Sequence, residues 1–176
     1  MSRKRFVTFL GVALYALLAV IPAFAAEDVR GLWKIIDEKT NNARGYVVLY
    51  LYEGRLYGRM VATIDDKTGY IRDTLEKKSD KAEKLAGAPF YAGLDFVYRL
   101  EDKGKEWRGR IMDPESGEEY ECRLWKEGEN LIVRGQLKGL GFLGRNQTWV
   151  RADAAELGDF VLPDPGAFSP VIPRKK

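Results

Sequence analysis

The chain has 176 residues, with 29 lysines and arginines, 26 aspartates and glutamates, no histidine and one cysteine. The missing histidine removes the commonest general base and metal ligand, and the sequence contains no phosphate-binding loop, dinucleotide fingerprint or cluster of metal ligands. We therefore expect no cofactor, no metal and no enzymatic activity. The charges are interspersed and form no basic face, so nucleic acid is not an expected partner.

The first 25 residues have the pattern of a secretory signal peptide. A basic start, Arg3 to Arg5, precedes an apolar run over 6–21 and a small-x-small cleavage site at Ala23-Phe24-Ala25. The apolar run is shorter than the roughly 20 residues that a spanning helix needs, so we expect cleavage and no membrane span after it. The mature chain would then begin at Ala26, carry 26 charges of each sign, and work in the periplasm or as a secreted protein.

The rest of the chain is a succession of short alternating segments, rich in Tyr, Val, Leu, Ile and Trp and mostly separated by Gly, Asp or Asn. This pattern predicts an all-β fold, an eight-stranded up-and-down antiparallel barrel, because closure removes the exposed edges of a long sheet. The barrel domain would cover residues 26–152 and an extended Pro-rich tail residues 153–176. The predicted strands are 29–37, 44–52, 55–63, 91–101, 106–113, 118–126, 130–138 and 146–152.

The predicted hairpin around Glu53-Gly54 separates an aliphatic face from a polar one. Pairing outward from the turn gives Leu51 with Leu56, Leu49 with Gly58, Val47 with Met60 and Gly45 with Ala62. We place this aliphatic face inside the barrel. The opposite face, here named the Tyr/Arg face, would lie outside and consists of Tyr46, Tyr50, Tyr52, Arg55, Tyr57 and Arg59.

A second hairpin turns at 114–117 and again has one apolar face. It predicts the pairs Ile111 with Tyr120, Gly109 with Cys122, Trp107 with Leu124 and, on the outer side, Arg110 with Glu121. Cys122 on the inner face is expected to be a buried, inert thiol. Alternation extends the inner set to Leu94, Phe96, Tyr98, Leu100, Leu131, Val133, Gly135 and Leu137.

Four glycines on the predicted inner face, Gly45, Gly58, Gly109 and Gly135, require a bend of the barrel or room for a ligand. A barrel of this size holds one small ligand or fills with side chains. We favour a cavity for an apolar or amphipathic, lipid-like small molecule. The alternative is a filled core, with the Tyr/Arg face contacting an envelope protein. The predicted ligand-binding residues are Leu49, Gly58, Met60, Phe96, Tyr98, Gly109, Asp113, Tyr120 and Val133.

Three connecting segments leave alternatives open. The long charged loop 65–90 could be a lid or binding segment, in which Asp73-Thr74-Leu75-Glu76 resembles a capping box that would open a helix ending near Gly87. A solvated mobile connector fits equally. The loop 139–144 carries apolar residues that could ring a barrel mouth. The Pro-rich tail fits either a wrap over the barrel or disorder.

Gly31-Leu32-Trp33 resembles the G-x-W signature of lipocalin-type barrels, which implies that Trp33 closes the narrow end under an arginine. Arg151 is the preferred counterpart and Arg145 the alternative, since a guanidinium over an indole is a favourable contact. The span from Gly31 to Arg151 resembles the exported bacterial family DUF2147 of unknown function. That resemblance implies a lipocalin-like barrel in the periplasm or outside the cell, and no established activity. The matching stretches are 31–33, 54–58, 113–114 with Gly117, 120–122, 134–135 and 143–151, with Asn146 in place of the family's usual threonine.

Overall fold

A computed structural model describes residues 28–137, 139 and 144–176 of the chain. The predicted signal peptide, residues 1–25, and most of the loop 139–144 lie outside the described residues. No helix among the described residues is long and apolar enough to cross a membrane. These residues form two short 3₁₀ helices, Ala154–Leu157 and Pro165–Ala167, and nine strands: β1 (Gly31–Ile36), β2 (Ala43–Tyr52), β3 (Arg55–Ile64), β4 (Ile71–Thr74), β5 (Asp95–Asp102), β6 (Trp107–Met112), β7 (Glu119–Glu127), β8 (Asn130–Gln136) and β9 (Gly144–Arg151).

Eight of these strands close into an antiparallel barrel. Successive strands pair from β5 to β9, β9 pairs with β1, β1 with β2 and β2 with β3, and β3 pairs with β5 to complete the ring. The short strand β4 pairs with the end of β3 and extends the sheet outside the ring. The predicted all-β, eight-stranded up-and-down barrel is therefore confirmed, with β4 as an additional strand that the sequence pattern did not indicate.

The long loop 65–90 forms no helix, so the helical alternative is wrong. The buried Asp73 side chain accepts hydrogen bonds from the Ser79 backbone N–H at 2.8 Å, the Ser79 hydroxyl at 2.6 Å and the Asp80 N–H at 3.1 Å. These donors lie six or seven residues ahead and fold the chain back, whereas a helix cap accepts from residues two or three ahead. Ala82 and Leu85, both 0% exposed, anchor the loop to the outside of the barrel.

The hairpin of β2 and β3 has the predicted register near its turn and a different register farther away. Leu51 pairs with Leu56, Leu49 with Gly58 and Val47 with Met60, as predicted. A bulge next to Val47 then shifts the strands, so that Ala62 pairs with Tyr46 and packs outside the barrel. The predicted pairing of Gly45 with Ala62 is therefore wrong, because an extra residue in one strand moves all later residues by one position. All the pairs predicted between β6 and β7 are confirmed.

Strand β5 departs from simple alternation. Its register shifts against both neighbouring strands, and Arg99 has a φ of 56°. As a result Phe96 and Leu100 face the interior as predicted, whereas Leu94 and Tyr98 pack in the core outside the barrel. The Tyr98 hydroxyl donates to Glu119 Oε2 at 2.5 Å. The expectation that Tyr98 lines the interior is thus corrected: bulges in β5 turn it to the other face.

The Tyr/Arg face lies outside the barrel, but most of it is buried beneath the chain's own C-terminal tail. Tyr50 is 3% exposed and Arg59 8%, and Phe168 of the tail packs edge-on against Tyr50 with ring centroids 5.3 Å apart. The tail therefore follows the wrapping alternative and forms a second apolar core with the 65–90 loop. That outer core includes Tyr46, Val48, Tyr57, Val61, Ala82, Leu85, Leu157, Phe160 and Phe168.

Candidate ligand-binding cavity

Trp33 and Arg151 lie at one end of the barrel. Trp33 is 2% exposed, and its indole N–H donates to the Val29 carbonyl at 2.8 Å. The guanidinium carbon of Arg151 lies 5.1 Å from the Trp33 ring centroid, and its Nη1 donates to the Arg30 carbonyl at 2.7 Å. Gly31 has a φ of 116°, and a Cβ there would overlap the Arg151 guanidinium. Glycine at position 31 therefore allows the arginine to lie flat over the indole.

The middle of the barrel is filled by side chains. Trp149 is 0% exposed and its ring centroid lies 5.9 Å from that of Phe96. A Cβ on Gly58 would lie 3.0 Å from Leu49 Cδ2 and 3.0 Å from Val97 Cβ. At Gly58, therefore, the missing side chain makes room for neighbouring apolar groups rather than for a ligand.

Gly109 is required by the backbone of the neighbouring strand. A Cβ there would lie 2.7 Å from the Arg99 carbonyl oxygen and 2.8 Å from Leu100 Cα, at the bulge of β5. The glycine thus permits close approach of two strands, which is a common reason for glycine inside a strand.

The end of the barrel opposite Trp33 contains a cavity of about 700 Å³. It lies between the strands β5 to β9, at the end where β6 passes into the turn 113–118 and β8 leads toward β9. This volume falls within the range of small-molecule sites, about 300–1,000 Å³. The lining residues are Phe96, Ile111, Met112, Asp113, Pro114, Tyr120, Val133, Gly135, Gln136, Leu137, Gly144, Arg145 and Gln147.

Strand β9 supplies the polar part of this lining. Its residues Arg145, Gln147 and Trp149 pair with Gly135, Val133 and Leu131 of β8. Side chains of paired residues lie on the same face of a sheet, so this row points inward with Val133 and Leu131, both of which belong to the inner core. Arg145 and Gln147 therefore face the cavity, and Trp149 lies beneath them.

Asp113 of the cavity lining and Cys122 of the inner core both have structural roles. Asp113 Oδ1 accepts from the Glu115 N–H at 2.9 Å and its Oδ2 from the Ser116 hydroxyl at 2.8 Å, which makes it a turn cap. Cys122 is 1% exposed, and burial raises the pKa of its thiol, so it stays protonated near neutral pH. Within the described residues no cluster of three or more potential metal ligands occurs.

The structure brings some of the predicted ligand-binding residues together and separates others. Phe96, Asp113, Tyr120 and Val133 line the cavity. Leu49, Gly58 and Gly109 lie in the packed part of the barrel, Met60 packs against the same inner core, and Tyr98 lies outside the barrel. The sequence pattern did not indicate Gln147, and it indicated Arg145 only as the alternative to Arg151 over Trp33. Counting back from Arg151 and Trp149 in steps of two would have placed both on the inner face.

Comparison with known proteins agrees with this geometry. A search of solved structures finds similarity to a protein described as "Protein HP1028 from the human pathogen Helicobacter pylori belongs to the lipocalin family", with a TM-score of 0.59 and 16% identity over 74% of this chain and 86% of that one. A likeness at this identity shows the fold alone. No curated protein matches the chain. The family model described as "Uncharacterized protein conserved in bacteria (DUF2147)" matches residues 31–151, so the chain belongs to this family, as its sequence motifs predicted.

Proposed function

We propose that this barrel binds an apolar or amphipathic small molecule in the cavity between β5 and β9. The observation that carries the proposal is a cavity of about 700 Å³ in a barrel whose opposite end is packed. Its walls include Phe96, Ile111 and Val133, which would contact an apolar chain or ring and shield it from water. Polar side chains lie among them, and in small-molecule sites such groups fix the orientation of the ligand.

The proposal that the protein binds an envelope protein through its Tyr/Arg face has less support. Tyr46, Tyr50, Tyr57 and Arg59 of that face are each less than 10% exposed beneath the tail and the loop. A partner would have to displace part of the chain to reach them.

Gly135 offers a direct test of the cavity. A Cβ at Gly135 would lie 3.5 Å from Ile111 Cγ2 and 3.8 Å from Tyr120 Cβ, which are ordinary contact distances. We therefore expect Gly135→Leu to fold and to place the rest of its side chain in the cavity. Titration with the neutral dye Nile red should show binding to the wild type and a loss of affinity of about tenfold or more in the variant.

Arg134→Leu is the matched control, because the added leucine lies on the same strand and faces away from the cavity. It should leave Nile red binding unchanged, and thermal melts should show both variants folded. Absence of dye binding by the wild type, or equal binding by folded Gly135→Leu, would reject the cavity as a binding site.

We also propose that the protein is exported and acts without catalysing a reaction. The support for export is the pattern of residues 1–25, and the support for a binding role is the absence of histidine from the chain. Intact-mass measurement of the exported protein should give a chain beginning at Ala26. A mass that retains residues 1–25 in most of the exported protein would contradict the proposal.

A further inference from the structure

The cavity combines apolar walls with hydrogen-bond donors on one side. Arg145 and Gln147 line it from β9, and Tyr120 lines it from β7. In the part of the chain that the structure describes, none of these three side chains forms an ion pair. The side chains of Arg145 and Tyr120 also form no hydrogen bond there. Other arginines on the neighbouring strands have partners: Arg110 pairs with Glu119, Arg123 with Glu106, and Arg134 donates to Asn146.

The orientation of the Gln147 amide follows from its contact with Trp149. The indole Nε1 of Trp149 lies 3.3 Å from Gln147 Oε1, and an indole nitrogen can only donate. The amide oxygen is therefore the acceptor, which leaves the amide NH₂ group as a donor. Arg145 and Gln147 thus both present donors from the same strand.

The acidic groups near the cavity are occupied by other donors. Both carboxylate oxygens of Asp113 accept hydrogen bonds within the turn 113–118. Glu119 accepts from the Tyr98 hydroxyl, and Glu121 lies 3.4 Å from the Gln136 amide nitrogen. Within the described residues, no carboxylate oxygen forms an ion pair with Arg145.

We propose that the ligand is a single-chain anionic amphiphile whose carboxylate or phosphate head is bound by Arg145, with Gln147 as a second donor. This inference rests on the proposed function and names the chemical class of its ligand. The apolar chain would lie against Phe96, Ile111 and Val133, where it leaves water. The head would lie at the exposed Arg145, whose planar guanidinium can donate two parallel hydrogen bonds to a carboxylate or phosphate.

Displacement of Nile red by amphiphiles with the same chain tests the role of the head group. Palmitate, hexadecyl phosphate and hexadecanol are titrated against the full-length mature protein, below the concentrations at which they form micelles. We expect palmitate, hexadecyl phosphate or both to bind the wild type at least about tenfold more tightly than hexadecanol, because a charge-assisted hydrogen bond is gained. Comparison of palmitate with hexadecyl phosphate distinguishes the two head groups.

Arg145→Gln removes the charge and keeps a polar side chain of similar shape. It should abolish the preference for the anions over hexadecanol when the three amphiphiles are compared on the variant itself, with the Nile red affinity of the same variant as the reference. Arg134→Gln is the control, since it removes one positive charge from the outer face of the adjacent strand and should retain the preference. Added salt should weaken the binding of palmitate or hexadecyl phosphate to the wild type and leave the binding of hexadecanol unaffected.

Two results would overturn the inference, and both differ from failure of the proposed function. If Nile red binds but the anions show no preference over hexadecanol, or if Arg145→Gln retains that preference, the cavity binds ligands without Arg145 as the head-group site. If neither Nile red nor any amphiphile binds the folded wild type, the proposed function itself fails.

Discussion

Arg59 and Asp95 form an ion pair that is buried between the barrel and its tail. Arg59 Nη2 lies 2.6 Å from Asp95 Oδ2, and their side chains are 9% and 0% exposed. The Tyr50 hydroxyl donates to Asp95 Oδ1 at 2.9 Å. The tail completes the set, because Asp95 accepts from the Val171 N–H at 2.6 Å and Arg59 donates to the Ser169 carbonyl at 2.5 Å. Each charge thus has several partners, which offset the cost of removing it from water.

Loss of one member of this pair should be costly. Arg59→Met leaves the Asp95 carboxylate buried without its cation, and we expect a loss of about 3–5 kcal/mol in the free energy of unfolding. Arg55→Met on the same strand is the control: Arg55 and Glu101 are each about half exposed and 3.5 Å apart, so the expected cost is below about 1 kcal/mol. Urea melts of both variants provide the comparison, and equal losses would mean that the buried pair contributes no more than the exposed one.

At the scale of the strand, β5 and β9 show when alternation is a sufficient guide. In β9 the pairing with β8 is regular from Gly144 to Trp149, so residues two apart share a face. In β5 the register shifts between Tyr98 and Glu101 against β6 and again on either side of Gly58 against β3. Each bulge reverses the assignment of every residue beyond it, and its position depends on both neighbouring strands. For this reason the sequence was sufficient to assign Arg145 and Gln147 to the inner face of the barrel, but it was not sufficient to assign Tyr98 to the outer face.

The tail is an element whose sequence left two outcomes open. Its four prolines remove backbone donors, and this fits an extended chain on a surface as well as a disordered one. The outer face of the barrel decides between them, because Phe160 and Phe168 are buried against tyrosines of the Tyr/Arg face. An aromatic face that resembles an interface for another protein is thus an interface within the chain.

At the scale of the whole molecule, the missing histidine sets the dependence of stability on pH. The pKa of Asp37 is lowered by the backbone N–H of Thr40, that of Glu101 by the side chain of Lys103 and that of Glu156 by the side chain of Lys34. Carboxyl groups with lowered pKa values stabilise the fold above their unfolded pKa, and this stability is lost as pH falls through the folded pKa. The side chains of these groups are between a quarter and a half exposed, so solvent screening reduces the contribution of each.

At alkaline pH, the dependence of stability on pH has the opposite sign. Burial raises the pKa of Tyr50, Tyr98 and Cys122. A group with a raised pKa stabilises the fold fully below its unfolded pKa, about 10 for tyrosine and 8.5 for cysteine, and this stability is lost as pH rises toward the folded value.

We therefore expect a plateau of stability across neutral pH. Between about pH 5.5 and 8 no side chain of ordinary pKa titrates, since only histidine would do so. The urea midpoint should be constant in this range and fall below about pH 4 and above about pH 9. Urea melts at a series of pH values provide the measurement. A midpoint that changes steeply between pH 6 and 7 would contradict this expectation and show that a group with a strongly shifted pKa titrates in that range.

The sequence by itself determined the barrel, the hairpin registers near their turns and the family. These features depend on local signals: alternation of apolar residues, turn residues at fixed positions and the pair of Gly31 and Trp33, with Arg151 across the closing strands. The sequence also indicated Tyr120 and Val133 as lining residues, because the pairing of β7 with β8 is regular and preserves alternation. It indicated Phe96 and Asp113 as well, although β5 is irregular and Asp113 lies in the turn after β6.

Only the tertiary structure decided which end of the barrel is filled and which side of the sheet is exposed. Gly58, Gly109 and Gly135 look equivalent in the sequence. In the structure, Gly58 makes room for neighbouring side chains, Gly109 makes room for the backbone bulge of β5, and Gly135 lines the cavity. The difference arises from the neighbours that each glycine meets across the barrel, which lie far away in the chain. Likewise, whether Tyr50 and Arg59 meet water depends on a tail more than 100 residues later, and a contact of that kind leaves no periodic signal in the strand itself.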